Sequence, residues 1–316
     1  MAPKMQKLPY KDYGHTMRQR LGGRVQKLAV DARMTCPNRD GRVGVGGCTF
    51  CLNEAFSPSY CRESGTLLQQ LNRAMDFHLS RGRKADFYLV YLQSGTNTYS
   101  DIDRLRSIYS ELLSHPDVSG LVIGTRPDCV SSEILDYLED LSHRYYVAVE
   151  YGIESVYDAT LKRVNRGHDF RCAADAVART KARGLDVGAH FILGLPGESE
   201  ADIMRGIGHI NQLGLDFVKF HQLQIYRGTA MEREYLSVPH DFIFSEGYSV
   251  DNYVALMCDI LRCLSAEVAV ERMLSLTPRH LLRFSPLRGL RVDEFRNRVV
   301  ERMEALGACQ GDMLRG

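Results

Sequence analysis

From about residue 86 the chain alternates short β-rich runs with polar turns and helix-length amphipathic stretches. This rhythm predicts parallel βα units. Six runs read as strands: VQKLAVDA (25–32), DFYLVYL (86–92), GLVIGT (120–125), YYVAVEY (145–151), LDVGAHFIL (185–193) and LDFVKFHQL (215–223). Ser100 with Asp103, and Ser199 with Asp202, have the spacing of capping boxes and should open helices. Gly184 and Gly214 should close the helices that precede the fifth and sixth strands. After residue 223 the rhythm gives way to a loop, a long helix near 246–266 and a basic tail. The predicted fold class is therefore α/β: a partial (β/α)6 TIM-like barrel over residues 1–223, with a C-terminal helical extension over 224–316 packed on it rather than standing as an independent domain.

Function in βα barrels sits at the carboxyl ends of the strands. The first strand runs into CPNRDGRVGVGGCTFC, which carries Cys36, Cys48 and Cys51 among four glycines. Three close thiolates suit a soft centre, either zinc or an iron–sulfur cluster, and a cluster held by only three keeps one iron open for a ligand. No fourth ligand stands at zinc-finger spacing, and Cys61 is the only local candidate. Cys61 is also the candidate for a catalytic thiol, beside the reading as an ordinary loop cysteine.

The second strand ends in Gln93, Ser94, Gly95, Thr96, Asn97 and Thr98, a polar turn with several donors and acceptors. The third ends in Thr125, Arg126, Pro127 and Asp128, where the guanidinium offers a fork for a carboxylate or phosphate, or simply an ion pair. Glu150 near the end of the fourth strand is an expensive carboxylate among apolar neighbours unless it meets a donor. Arg163, Arg166 and His168 follow it closely. His190 stands on the fifth strand before the turn Leu193 to Glu198, whose glycines permit close approach to a flat ring, and His221 stands on the sixth.

Composition narrows the setting. At 316 residues, 44% hydrophobic and 25% charged, the chain has an ordinary globular composition. Nine scattered cysteines do not make a disulfide scaffold, and MAPKMQKLPYKDYG lacks the apolar run of a signal peptide. A reducing cytoplasm is the expected location, and no membrane segment is expected. The net charge of +1 hides a skew. Residues 1–42 carry ten Lys or Arg against three acids, and residues 279–303 carry seven Arg against three. Such ends suit phosphates or form a solvated charged surface.

Taken in order, the cysteine loop and the strand-end motifs resemble the radical SAM superfamily. CPNRDG, GGCTFC, GTRPDC, VNRGHD, GLPGE and the closing Gln310-Gly311 resemble its YhcC-like group, related to the catalytic subunit of the elongator complex. The gap of eleven residues between Cys36 and Cys48 departs from the commoner three and is similar to that subgroup.

The resemblance implies that Cys36, Cys48 and Cys51 ligate a [4Fe–4S] cluster whose fourth iron binds S-adenosylmethionine (SAM). One electron would then give methionine and a 5′-deoxyadenosyl radical. It further implies that Phe50 packs near the adenine and that Gln93 to Asn97 (Gln93, Ser94, Thr96, Asn97) hold the methionine end. Glu150 would lie near the ribose or amine, and Leu193, Gly194 and Gly197 near the adenine. Thr125, Arg126, Arg163, His190 and His221 complete the cofactor-binding set expected from the strand ends. No acetyltransferase domain is expected beyond the barrel, and no tryptophan stands near Ser285-Pro286-Leu287-Arg288 where the group leads one to expect it.

The leading functional expectation is a radical SAM enzyme acting on tRNA, at the C5 side chain of a wobble uridine, fed by a low-potential donor such as flavodoxin or ferredoxin. The basic ends would meet the RNA; DNA and membranes are not expected partners. Two alternatives are the same chemistry on a small-molecule metabolite, and a non-catalytic metal-binding protein that interacts with RNA.

Overall fold

The computed structural model describes residues 8–314 apart from Phe56, Ser64 and Arg288. Lys4, Lys7 and Arg288 of the two basic stretches lie outside the described residues.

The strands are β1 (Val25–Val30), β2 (Phe87–Leu92), β3 (Val118–Thr125), β4 (Tyr146–Glu154), β5 (Asp186–Leu193), β6 (Phe217–Gln222), β7 (Ile225–Tyr226), β8 (Ala269–Arg272) and β9 (Leu282–Phe284). The helices are α1 (Tyr13–Leu21), α2 (Ser59–Arg62), α3 (Leu67–Leu79), α4 (Ile102–Leu113), α5 (Ser132–Ser142), α6 (Asp158–Arg163), α7 (Phe170–Lys181), α8 (Glu200–Gln212), α9 (Ala230–Ser237), α10 (Val250–Cys263) and α11 (Val292–Ala305). All six expected strands form, in chain order and parallel. The sheet curls into a half-barrel, so the α/β, partial TIM-like reading of the sequence holds. A seventh strand that the apolar pattern did not reveal, β8, adds in parallel to the free side of β6.

Helices cover the outer face: α3 packs on β1, α4 on β3, α5 on β4, and α7 on β4 and β5. Their apolar stripes, such as Ile134, Leu135, Leu138 and Leu141 of α5, are buried against the sheet. Ser199 and Asp202 form the expected capping box on α8. The other expected box is corrected: Asp101, not Ser100, caps α4 by accepting from the Arg104 N–H. Its carboxylate sits one residue closer to the first turn. Gly184 and Gly214 follow α7 and α8 with φ of 68° and 67°, as the sequence predicts. The long helix of the extension is α10, shorter than the expected 246–266, and it packs between α8 and α11.

The inside of the half-barrel is layered. At its amino-terminal end Leu89, Val122, Ala148, Phe217 and Ala269 pack against Tyr13 and Met17 of α1. The edge strands are β1 and β8, and α1 contacts both. Just before α1, Asp12 bridges Val270, whose N–H donates to the Lys11 carbonyl at 2.7 Å. Gly188 fits beneath the Phe217 ring because any Cβ there would come within 2.2 Å of it.

Candidate functional site

Above that apolar layer the carboxyl ends of the strands surround one cavity. Its wall includes Cys36, Cys48 and Cys51, Phe50, Gln93, Ser94, Thr96, Thr125, Arg126, Glu150, His190 and His221, all expected from sequence. The structure thus brings together residues from the cysteine loop and five strand ends.

The cysteine loop is stitched to its surroundings through its backbone. Arg39 N–H donates to the Cys36 carbonyl and Gly47 N–H to the Asn38 carbonyl, each at 2.8 Å. Asn165 clamps the loop from outside: its Nδ2 donates to the Gly47 carbonyl at 2.8 Å and its own carbonyl accepts from Asn38 Nδ2 at 2.5 Å. Thr49 N–H bonds the Val164 carbonyl at 3.0 Å. The VNRGHD motif is therefore the brace of the cysteine loop. Gly95 sits where a Cβ would come within 2.2 Å of the Met34 carbonyl, with φ 78°, so the turn after β2 presses on the same loop.

All three thiols are free. Cys48 Sγ accepts from Arg166 Nη1 at 3.4 Å and Asn38 Nδ2 at 3.6 Å. Burial raises the Cys51 thiol and Cys48 adds to the rise, while Arg39 and Arg166 oppose it. Burial would lower Arg166, but Cys48 and Glu154 outweigh it and keep the guanidinium firmly charged. Arg126 grips Asp128 through Nε and Nη2, both at 2.8 Å, and leaves Nη1 buried without a partner. Arg166 Nε is left in the same way. Buried donors without partners are rare in a folded chain, and these flank a wall of thiols.

The donor set fits an iron–sulfur cluster with a charged ligand on it. Among the described residues no three His, Cys, Asp or Glu side chains converge tightly enough to share one metal ion. A cubane attaches each thiolate to a different iron, so its ligands need not converge.

Several expected residues stand away from the cavity. Asn97 is buried behind it, its Nδ2 donating to the Gly124 carbonyl at 2.8 Å. Arg163 turns outward to Glu234 at 2.7 Å and Asp241 at 2.5 Å. Leu193, Gly194 and Gly197 do not line the cavity; the ring against Gly194 is Phe244 of the extension, 2.5 Å from where a Cβ would be. Gly197 N–H bonds the Asp241 carbonyl at 2.9 Å. Cys61 is buried off the cavity, its Sγ donating to the Ala29 carbonyl at 3.5 Å, and burial pushes its thiol up to about 11.

Further lining residues are Arg166, expected only to follow the fourth strand closely, and Arg39, Tyr91, Glu154, Gln222, Gln224, Tyr226 and Ser275, which the sequence did not assign to this wall. Glu154 holds a left-handed φ of 75° where β4 slips its register against β5, a strained backbone of the kind that clusters at ligand sites. The sequence signal for Arg166 was its place in VNRGHD between Asn165 and Gly167, both of which take a positive φ. Gln222 and Gln224 both donate to the Ser275 carbonyl, at 2.7 and 3.2 Å, and tie the extension to the cavity rim.

Below this wall Glu150 is wholly buried and takes three donors: Lys27 at 2.6 Å, Lys219 at 2.6 Å and His190 Nε2 at 2.8 Å. Burial alone would raise its pKa; Lys219, Lys27 and His190 outweigh that and hold the carboxyl well below its usual range. Burial pushes Lys219 down to about 8 against the pull of Glu150 and Glu271. Glu271 of β8 closes the set, 2.6 Å from Lys27 and 3.2 Å from Lys219. The expectation that Glu150 serves the ribose or amine meets a carboxylate whose two oxygens are already engaged.

Comparison with known proteins decides the family. Residues 39–207 match the Radical SAM superfamily, and residues 215–305 match the Radical_SAM C-terminal domain. The chain belongs to the radical SAM superfamily. Its members bind a [4Fe–4S] cluster and SAM. The chain is 32% identical to YtqA of Bacillus subtilis over 96% of its own length and 92% of that protein. It is 34% identical to protein YhcC of Escherichia coli K12, over 83% and 82% of the two chains. Among solved structures, Elp3 of the archaeon Methanocaldococcus infernus shares the fold: TM-score 0.65 at 18% identity, covering 90% of this chain and 64% of that one. No helix among the described residues is long and apolar enough to cross a membrane.

Proposed function

We propose that this chain is a radical SAM enzyme that modifies tRNA at the C5 side chain of a wobble uridine, in the cytoplasm, with a flavodoxin or ferredoxin as electron donor. The observation that supports the chemistry is the single cavity on which Cys36, Cys48 and Cys51 meet two buried guanidinium groups with donors to spare. The cluster and SAM, when bound, supply one-electron cleavage of a sulfonium carbon–sulfur bond. The chain's own residues do the rest. The three thiolates would hold iron; Arg166 and Asn38 donate to Cys48 and would temper its charge; Arg126 Nη1 and Arg166 Nε, buried without partners, would donate to the SAM carboxylate. Phe50 and Tyr226 give the wall apolar surface for a ring, and the extension's tie through Ser275 limits entry of water.

Two observations support tRNA as the substrate. A tRNA uridine(34) acetyltransferase of Dehalococcoides mccartyi is 28% identical over 224 residues, 60% of this chain and 48% of that protein. The two basic ends also meet in space: Lys11, His15, Arg18 and Arg24 share a groove with Arg296 of α11. Phosphate neutralisation there would give salt-dependent RNA affinity. A small-molecule reading is favoured by one observation, 27% identity over 172 residues to a protein named heme chaperone HemW from Mycobacterium tuberculosis.

The deciding experiment incubates reconstituted protein with SAM, dithionite and bulk tRNA, then digests the tRNA for nucleoside mass spectrometry. A mass change confined to uridine at the wobble position supports the proposal. Turnover of SAM with no tRNA product at any salt concentration rejects the substrate and leaves the chemistry standing.

A further inference from the structure

Beneath the cavity wall lies a buried cluster of charge. Lys27, Glu150, Lys219 and Glu271 come from β1, β4, β6 and β8 and alternate in sign around a closed ring, with contacts of 2.6, 2.6, 3.2 and 2.6 Å. Two cations face two anions, so the ring is neutral without any proton on the imidazole above it. Tyr91 OH accepts from Lys219 Nζ at 3.0 Å and closes the set toward β2. Glu150 and Tyr91 reach the cavity wall, and His190 extends the ring into it with an imidazole. Its Nε2 faces the Glu150 carboxylate at 2.8 Å, which requires the proton on Nε2 and leaves Nδ1 as the basic nitrogen. No hydrogen bond engages Nδ1 among the described residues, and the ring lines the cavity. His221 stands beside it, ring centroids 5.3 Å apart, with its buried Nε2 unpartnered.

We propose that His190 is a proton-transfer residue of this cavity, that Glu150 is its positioning residue, and that Lys27 and Lys219 are present to keep Glu150 ionised. Nδ1 takes a proton from an acidic N–H, O–H or activated C–H of the bound substrate, or returns one. The imidazolium so formed is stabilised by the carboxylate at its back, and no oxidant or reductant is consumed. Removing a proton from a substrate while the radical steps rearrange its electrons is what a buried, carboxylate-backed imidazole offers. The inference holds whether the substrate is tRNA or a metabolite.

The test needs no substrate. Histidine-labelled protein (15N) is followed by long-range 1H–15N spectra between pH 5 and 9. Glu150 on β4 and His221 on β6 face His190; Lys27 on β1 and Lys219 on β6 stand behind Glu150, with Tyr91 on β2 and Glu271 on β8 beyond them, and Arg272 on β8 acts on His221. Wild type should show the Nε2–H tautomer. Glu150→Gln should mix the tautomers and move the His190 midpoint to lower pH by about one unit, since a carboxylate is lost beside two remaining ammonium groups. Lys219→Met should move it the opposite way, which keeps the test open if Glu150→Gln does not fold. Diethyl pyrocarbonate, which acylates the neutral free nitrogen, should label His190 with a midpoint that follows the spectra in each protein. A wild-type Nδ1–H tautomer, a midpoint unmoved by Lys219→Met, or a His190 that resists labelling overturns the proposal.

Discussion

The mouth and the floor of the cavity are both crowded with charged and polar side chains, yet they treat hydrogen bonds in opposite ways. At the mouth Arg126 Nη1 and Arg166 Nε are buried without partners. On the floor every charged atom of the Lys27, Glu150, Lys219 and Glu271 ring has an opposite charge within 3.2 Å. An unsatisfied buried donor costs stability that a ligand can restore, whereas a satisfied ring has little to offer a ligand and much to lose if broken. The difference separates a binding wall from a holding frame, with His190 at the junction.

Breaking the frame should have the largest effect on folding. Glu150→Gln leaves two buried ammonium groups short of a partner and should cost about 3–5 kcal/mol in urea unfolding. The sign of its pH dependence follows from a depressed folded-state pKa. The wild-type advantage is fully present above the ordinary carboxylate range and fades as acid titrates Glu150 through its lower folded value. An advantage that grows in acid contradicts the ring. Next comes Gly188→Ala, whose new methyl meets the Phe217 ring beneath the floor; about 1–3 kcal/mol of destabilisation is expected by the same measurement.

Changes at the mouth should cost binding more than folding. Arg126→Lys keeps the charge but loses the fork, so SAM affinity of the reconstituted protein should fall about tenfold by equilibrium dialysis, a difference of about 1.4 kcal/mol. The smallest effect is expected at Cys61→Ala, outside both regions. Iron content should be unchanged and 5′-deoxyadenosine yield should stay within about twofold, because Cys61 lies off the cavity with its Sγ turned to the Ala29 carbonyl. A loss of one iron per chain in that variant would give Cys61 a place among the ligands.

The frame was legible where burial on both faces writes apolar runs, which is why six strands could be read directly. β8 was not, because AVER is four residues long and half charged, and its partners, β6 and the segment before α1, lie far away in the sequence. The binding wall was legible where a motif has its own chemistry: the cysteines, and Arg126 behind its proline. It was misread where a turn's glycines could serve any ring. The GLPGE turn receives Phe244 of the extension, and nothing local in the sequence announces that partner. Gln222, Gln224 and Ser275 left no trace at all, since an amide on a strand looks the same whether it faces a neighbour or a cavity.

On the proposed function, Cys36, Cys48 and Cys51 hold the reaction centre. Its most direct test is anaerobic reconstitution with iron and sulfide followed by dithionite and SAM, scoring bound iron and 5′-deoxyadenosine in wild type and Cys48→Ala. Wild type should bind about four irons and form the nucleoside steadily, and the variant should lose both. Wild-type protein that binds the iron and never cleaves SAM, with or without tRNA, would contradict it.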